Sequence, residues 1–227
     1  FLRMQTYVAK RLNKIITVSV SSKKNIQEDF KVSEKNISVI LNGIDTEIFY
    51  PDQSKTVSKR IVTVASADVP LKGLDYLLDA FANLLKHDPS LELFVIGSFN
   101  EGGHTERKIK YLNIEKKVTF KNDLNFNQVR EIYCSADIVV IPSIYEGFWF
   151  AVGEAMACKK PVVTTDGGAI PEVISDCGLV VEAGNSDELK IGILKLINNE
   201  SLKAEMAEKG YQRVLEALNW RRAAESV

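Results

Sequence analysis

Residues 137–173 read DIVVIPSIYEGFWFAVGEAMACKKPVVTTDGGAIPEV. The apolar run at residues 138–141 predicts a buried parallel strand that ends at Pro142, and residues 161–163 predict a second strand. A loop and a short helix fill the interval between them. Because the loops of such strand–loop–helix–strand units lie at the carboxyl edge of a parallel sheet, where open α/β sheets bind ligands, we expect the functional site here.

Two acidic side chains of this unit, Glu146 and Glu154, have seven residues between them. Glu146 lies in the predicted loop and Glu154 about one turn inside the helix, so both can face one pocket. The free N–H groups of the helix's first turn, with the positive end of its dipole, favour an anion between them. A carboxylate also accepts hydrogen bonds from vicinal hydroxyls. The pattern therefore favours a ligand with phosphate at one end and sugar hydroxyls at the other, such as a nucleotide sugar.

Several short motifs accompany these glutamates. They are Glu146-Gly147-Phe148, EAMAC at residues 154–158, PVV at residues 161–163 and GGAIPEV at residues 167–173. Their combination resembles the E-x7-E region of the family 4 retaining glycosyltransferases of GT-B fold, the group 1 glycosyl transferases, and the likeness extends over nearly the whole chain. The resemblance implies a C-terminal donor-binding domain preceded by the end of the N-terminal domain.

The resemblance also implies roles for single residues. The position of Glu154 holds the ribose hydroxyls of the donor nucleotide, and that of Glu146 lies beside the donor sugar. Backbone N–H groups contact the sugar and the diphosphate at Gly147, Phe148, Trp149 and Phe150. The family usually has a small residue at the position of Trp149. The indole ring could stack on a ligand or pack beneath the loop, and the sequence leaves both open.

Lys72 precedes a predicted helix. The helix dipole does not favour a lysine there, so the side chain either reaches into solvent or is held by an anion. The resemblance implies that Lys72 meets the donor diphosphate. Many family members carry Gly-Arg where this chain has Ala65-Ser66, so the usual second cation is missing and Ser66 occupies the loop instead. Binding of the diphosphate then depends more on Lys72, helix dipoles and backbone N–H groups.

Three polar residues lie in other loops. Two of them, Asn122 and His104, allow a functional and a structural interpretation, and the third, Glu172, allows a structural one. Asn122 follows a predicted strand, and in relatives this loop touches the nucleobase, largely through its backbone; an ordinary polar loop is the alternative. His104 either lines the donor cleft or is solvated. We expect Glu172, next to Pro171, to cap the first turn of its own helix.

Strands alternate with helices from Arg60 onward, which predicts an α/β fold with a Rossmann-like parallel sheet flanked by helices, the C-terminal half of a GT-B glycosyltransferase. Besides the two central strands, we predict strands over residues 61–65, 91–96, 118–120 and 179–181. We predict helices over residues 74–86, 105–112 and 127–134, and from residues 187 and 202 onward.

The chain before Arg60 predicts a shorter α/β segment. It contains a helix over residues 2–12, a strand over 15–19, a helix from the N-cap Ser21 to Phe30, and a strand over 36–41. The segment Asn42-Gly43-Ile44-Asp45, with Phe49 and Pro51, resembles the end of the family's acceptor-side domain. We therefore assign residues 1–50 to a remnant of the N-terminal domain, 51–59 to a linker and 60–227 to the nucleotide-sugar-binding domain.

Composition disfavours several other functions. The net charge of -1 gives no global attraction to nucleic acid or anionic membranes. Cys134, Cys158 and Cys177 lack metal-ligand spacing and are typical of buried thiols in a reducing, cytoplasmic compartment. The chain has no D-x-D motif, two isolated histidines and no glycine fingerprint of dinucleotide enzymes. We therefore expect no metal and no cofactor, and an oxidoreductase is disfavoured.

The resemblance thus implies a retaining hexosyltransferase that moves a sugar from a nucleoside diphosphate to an acceptor hydroxyl, in bacterial polysaccharide or glycolipid synthesis. Lys72 would stabilise the leaving diphosphate, and Glu146 the positive charge at the anomeric carbon. The alternative is a noncatalytic nucleotide-sugar-binding or scaffold module. The nucleobase, the sugar and the acceptor are not identified by the sequence.

The chain opens at Phe1 within a helical pattern, so we expect a fragment of a longer protein. Its missing partner is then the N-terminal domain, and the fragment alone is expected to be inactive. Apolar surface that this domain would cover can drive a homodimer of the fragment. The parent protein can associate peripherally with a membrane.

Overall fold

The computed structural model describes residues 2–148 and 150–227, so Trp149 and its predicted donor contact lie outside the described residues. Within these ranges the chain forms two parallel sheets. The small sheet pairs β1 (Ile15–Thr17) with β2 (Ile37–Val39). The strands of the large sheet are β3 (Arg60–Val64), β4 (Glu92–Ile96), β5 (Val118–Lys121), β6 (Ile138–Ile141), β7 (Val162–Thr165) and β8 (Leu179–Val181). The helices are α1 (Leu2–Ala9), α2 (Val20–Phe30), α3 (Leu74–His87), α4 (His104–Tyr111), α5 (Phe126–Ser135), α6 (Phe150–Ala157), α7 (Ile170–Ile174), α8 (Ser186–Ile197), α9 (Glu200–Ala217) and α10 (Trp220–Glu225).

The strand order of the large sheet places its first strand in the middle. The order is β5-β4-β3-β6-β7-β8, and all neighbours are parallel. The chain builds outward from β3 to β5, returns to the centre, and builds outward again from β6 to β8. This confirms the predicted α/β fold with a parallel sheet. It also creates a crevice between the loops that follow β3 and β6, the position where open α/β sheets bind ligands.

Helices cover both faces of the large sheet, because its central strands are apolar on both sides. All four residues of β6 are buried. Val139 and Ile141 belong to a cluster built with α5, α6, α7 and α9, whereas Val140 belongs to a second cluster built with α3 and α8. The loop after β6 and helix α6, which carry the two glutamates, therefore rest on a fully packed base.

Residues 42–50, the crossover segment, connect the small sheet with the large one. Its apolar side chains Ile44 and Phe49 are buried in the same cluster as α5 and α6. The ring of Phe49 meets that of Tyr133 on α5 edge to face, with the ring centroids 6.2 Å apart. The crossover segment is therefore anchored on the helices that carry the candidate site.

The C-terminal helix returns to the crossover segment. The backbone N of Ile44 donates to the carbonyl oxygen of Leu218 at 2.8 Å. A Cβ at Gly43 would overlap the backbone N of Trp220, the first residue of α10, so this close approach requires the glycine. Beyond α10, the carbonyl oxygen of Val227 accepts a hydrogen bond from the side chain of a lysine that precedes β1. The chain thus passes the junction between the two sheets a second time.

Several predicted boundaries in the N-terminal segment are wrong. Helix α2 begins before the predicted N-cap Ser21, because Ser19 caps it and accepts a hydrogen bond from the backbone N of Ser22 at 3.0 Å. The strands predicted over residues 15–19 and 36–41 are too long, since β1 and β2 pair over three residues each and their ladder ends there. The predicted helix over residues 2–12 ends at Ala9. Outside the N-terminal segment, the strand predicted at residues 161–163 spans Val162–Thr165.

Gly73 connects the loop after β3 with α3 and has a φ of 65°. A Cβ there would overlap the carbonyl oxygen of Pro142, just after β6, whereas a Cβ at Gly102, with a φ of 72°, would meet no atom within 4 Å. We expect Gly102→Ala to lower the free energy of unfolding by about 1 kcal/mol through backbone strain alone. Gly73→Ala should lower it by about 3 kcal/mol, because the two loops must also separate. Chemical denaturation measures both values, and equal losses would contradict a tight contact between Gly73 and Pro142.

Candidate active site

Lys72 and Glu146 meet at the crevice between β3 and β6. Lys72 ends a 3-10 turn, Pro70–Lys72, in the loop after β3, and Glu146 lies in the loop after β6. Lys72 Nζ and Glu146 Oε1 are 2.5 Å apart, and the side chains are 33% and 22% exposed. The two residues for which the sequence predicts catalytic roles are therefore brought together as an ion pair that solvent can reach.

Backbone hydrogen bonds hold the Glu146 loop from two sides. The N–H of Ile144 donates to the carbonyl oxygen of Leu71 at 2.9 Å, which ties the loop to the one that carries Lys72. The N–H of Ala169 donates to the carbonyl oxygen of Glu146, also at 2.9 Å, from the loop after β7. The position of Glu146 therefore does not depend on its ion pair alone.

Glu154 lies on α6, where a tyrosine holds its carboxylate. Oε2 accepts a hydrogen bond from the hydroxyl of Tyr133 on α5 at 3.1 Å. Burial raises the pKa of the Glu154 carboxyl, and the bond from Tyr133 lowers it. Burial, followed by the charge of Glu154, raises the pKa of Tyr133, so the phenol stays protonated and donates. Among the described residues no group donates to Oε1 of Glu154, and this oxygen remains available to a ligand.

The two glutamates thus have different partners, and no contact among the described residues joins their carboxylates. Their convergence on one ligand stays a prediction. Between them, Phe148 precedes α6 and Phe150 opens it, with ring centroids 5.1 Å apart in an edge-to-face pair. Together with Gly147, these residues bring the backbone N–H groups of the helix start between Glu146 and Glu154 along the chain.

Among the described residues, neither Ser66 nor Asn122 forms a hydrogen bond with Glu146. Ser66 is half-buried in the loop after β3, and the exposed Asn122 side chain donates to Asp123 at 3.0 Å in the loop after β5. Two strands, β4 and β3, separate β5 from β6. With neighbouring strands about 4.8 Å apart, β5 and β6 lie about 14 Å from each other. Only a long ligand could meet both Asn122 and Glu146.

The prediction that Glu172 caps its own helix is wrong. Its carboxylate accepts hydrogen bonds from the backbone N–H groups of Val20 at 2.6 Å and Ser21 at 2.8 Å, in the first turn of α2. The physical reason is the supply of donors, because Pro171 near the start of the five-residue α7 has no N–H, whereas α2 presents free ones. Glu172 therefore fixes α2 beside the Glu146 loop.

Sequence reasoning missed two tyrosines. Like Glu172, Tyr145 binds α2, and Tyr133 holds Glu154. The hydroxyl of Tyr145 accepts a hydrogen bond from Nδ2 of Asn25 on α2 at 2.7 Å. Tyr133 lies on the apolar face of α5, next to a buried cysteine, and such a residue is typical of a core aromatic. Helical periodicity gives its burial, but only the three-dimensional structure shows its polar partner.

A cavity of about 800 Å³ lies between α3, α4 and the loops that follow β3, β6 and β8. Its lining includes Asp68, Asp75, Tyr76, Asp79, His104 and Lys108. His104 Nε2 lies 2.7 Å from Asp75 Oδ2, so His104 faces this cavity. None of the predicted catalytic or donor-binding residues that the structure describes lines it. The chemistry of the Lys72–Glu146 pair therefore locates the candidate site better than the size of this cavity does.

Within residues 2–148 and 150–227, no group of three or more His, Cys, Asp or Glu side chains has the arrangement of a metal site. Cys134, Cys158 and Cys177 are buried free thiols. The described helices include none with the length and apolar character to cross a membrane.

Comparisons with known sequences identify the family. The profile described as "Glycosyl transferases group 1" matches residues 45–213. The chain is 34% identical over 227 residues to the MMP alpha-(1->4)-mannosyltransferase of Mycolicibacterium hassiacum, which covers 99% of this chain and 55% of that protein. The chain spans about half the length of the curated relatives it matches.

Solved structures show the same fold. The HepE protein of Anabaena in complex with UDP superposes with a TM-score of 0.88 at 21% identity, over 99% of this chain and 65% of that one. The C-terminal domain of LpcC, a glycosyl transferase group 1 family protein from Francisella tularensis, matches 76% of this chain and 97% of its own length, with 30% identity and a TM-score of 0.66. From the family profile and the sequence identity, the chain belongs to the group 1 glycosyltransferases.

Proposed function

We propose that this chain is the donor-binding part of a retaining glycosyltransferase, which moves a hexose from a nucleoside diphosphate to an acceptor hydroxyl. The observation that carries the proposal is the 2.5 Å pair between Lys72 and Glu146 at the crevice between β3 and β6. When the bond from a sugar to a diphosphate breaks, negative charge grows on the phosphate and positive charge on the sugar carbon. A cation and a carboxylate side by side suit these two charges.

Lys72 serves the leaving diphosphate. A diphosphate carries more negative charge than a single carboxylate, so its arrival draws the ammonium group away from Glu146 toward the phosphate oxygens. The carboxylate of Glu146 then accepts hydrogen bonds from the sugar and stabilises positive charge at the anomeric carbon. We assign it no covalent bond to the sugar. Positioning and charge stabilisation therefore supply the catalysis.

The donor would extend along the carboxyl edge of the large sheet. The span of about 14 Å between β5 and β6 is one that an extended nucleoside diphosphate sugar can bridge. The base would lie near Asn122, the diphosphate near Ser66 and Lys72, and the sugar near Glu146. Glu154 would hold the ribose hydroxyls through its available oxygen. Backbone N–H groups at the start of α6 would contact the sugar and the diphosphate at Gly147, Phe148 and Phe150, with Trp149 between them.

Further partners and the location of the whole protein belong to the same proposal. The UDP in the HepE structure supports a nucleoside diphosphate donor, and the mannosyltransferase supports a hexose. We propose that the acceptor binds to an N-terminal domain, that the protein works in the cytoplasm in bacterial polysaccharide or glycolipid synthesis, and that it can associate peripherally with a membrane. An apolar groove on α1 and α2, lined by residues such as Met4, Val8, Leu12 and Phe30, would face that domain or a second copy of this chain.

Removing the charge of Lys72 should weaken binding of the diphosphate but not of the nucleoside. We expect Lys72→Met to lower the affinity for UDP or GDP, whichever binds, by about 10- to 100-fold, because a charge-assisted hydrogen bond is lost. The affinity for uridine or guanosine should stay within about twofold. Isothermal titration measures both.

Lys108→Met is the matched control for that titration. Lys108 is also an ion-paired lysine of low exposure, with Nζ 2.8 Å from Asp79, but it lies on α4. Equal effects of the two substitutions would contradict a specific role for Lys72. If the intact protein binds donor without transfer to any acceptor, the noncatalytic binding module becomes the better description.

The ionised carboxylate of Glu154 should lower the free energy of unfolding at neutral pH. Its folded-state pKa is raised above the ordinary value of 4.5, mainly by burial. The fold therefore loses stability as pH rises from about 4.5 through the folded pKa, because the native state resists ionisation. We expect Glu154→Gln to raise the melting temperature at pH 8 and the gain to vanish near pH 4.

Glu106→Gln supplies a control of opposite sign for these melting curves. The pKa of Glu106 is lowered, first by Lys110 and then by the backbone N–H of Gly102. Its neutralisation should therefore not stabilise the fold at pH 8. A gain for Glu154→Gln that persists unchanged at pH 4 would show that burial of the charge is not its cause.

A further inference from the structure

We propose that Tyr133 is a positioning residue for the ribose of the donor, because its hydroxyl fixes Oε2 of Glu154 and leaves Oε1 directed to the ribose hydroxyls. The inference rests on the proposed function, in which Glu154 binds the ribose. Tyr133 lies outside the sequence motif that contains Glu154, 21 residues earlier and on another helix.

The first support is the confinement of Tyr133. The side chain is 0% exposed, and its hydroxyl lies 3.1 Å from Glu154 Oε2. No other side chain that the structure describes is bonded to this hydroxyl. A buried hydroxyl that loses its acceptor is destabilising, so Tyr133 keeps its hydrogen bond to Glu154. The carboxylate can then not rotate freely between the protein and the solvent.

The second support is the packing of the Tyr133 ring. Phe49 of the crossover segment contacts it edge to face at 6.2 Å, and Phe49 also packs on Phe126 at 6.3 Å. Helix α5 is fixed at its start by a capping box between Asn125 and Gln128. The phenol is thus held at both its ring and its helix, and it can act as a rigid reference for a flexible glutamate side chain.

The third support is charge. A ribose offers two O–H donors, and an ionised carboxylate suits them because it accepts hydrogen bonds without donating. Burial disfavours the ionised form of Glu154, while the hydrogen bond from Tyr133 favours it. Tyr133 therefore acts on both the direction of the carboxylate and its ability to accept.

The test compares ribose with deoxyribose. UDP or GDP, whichever the chain binds, and its 2′-deoxy counterpart are titrated against the unsubstituted chain, Tyr133→Phe, Glu154→Gln and the double variant. We expect the unsubstituted chain to prefer the ribonucleotide by about tenfold, the value of one hydrogen bond to a charged group. Tyr133→Phe should reduce this preference to about two- to threefold while the affinity for the deoxynucleotide stays unchanged. The double variant should be no worse than Glu154→Gln alone, since the two residues act as one unit.

The outcomes separate the positioning role of Tyr133 from the ribose contact of Glu154. If Tyr133→Phe keeps the full preference for ribose, or weakens both nucleotides equally, the positioning role is overturned while the donor site stands. If the unsubstituted chain binds neither nucleotide, or both equally, the assignment of Glu154 to the ribose fails and the inference fails with it. Tyr211 is a half-buried tyrosine on α9. The variant Tyr211→Phe therefore controls for the general loss of a phenol hydroxyl and should leave the preference for ribose unchanged.

Discussion

The parallel pairing of β3 with β6 is the constraint on which the site depends. These strands are 77 residues apart at the pair Val62–Val139, yet they lie side by side at the centre of the sheet. Their carboxyl ends therefore release two loops at one crevice, one with Lys72 and one with Glu146. Neither loop could place a cation against a carboxylate by itself. The chemistry of the site thus follows from strand order before it follows from any side chain.

The polar groups near this crevice differ from the structural ion pairs of the same protein. Lys203 has Nζ 2.7 Å from Asp137 Oδ1, and the other oxygen of Asp137 accepts from the backbone N of Lys59 at 2.9 Å. Both oxygens of Asp137 and the ammonium group of Lys203 therefore have partners, and this ion pair joins α9 to the start of β6. Among the described residues, Glu154 has a hydrogen-bond partner for one oxygen only. A half-buried carboxylate with one oxygen left unpaired is more typical of a ligand-binding position than of a purely structural one.

The sequence predicted the large sheet well, because its strands are buried on both faces and give continuous apolar runs between helical patterns. It predicted the small sheet less well, since three-residue strands carry little periodic signal. The Lys72 and Glu146 loops were found because they end apolar strands. Tyr133 and the true partner of Glu172 were not, because both depend on contacts between elements far apart in the chain. A local pattern gives the type of a side chain's environment but not the atom it meets.

The polypeptide passes between the two sheets twice, once through the crossover segment and once where α10 returns beside Gly43 and Ile44. Two points of passage lie next to each other here, joined by the hydrogen bond from Ile44 to Leu218. A body tethered at one point can swivel in any direction, whereas two tethers restrict it to rotation about the line through them. Any opening of the α2 side away from the Glu146 loop is therefore restricted to rotation about an axis through these two points.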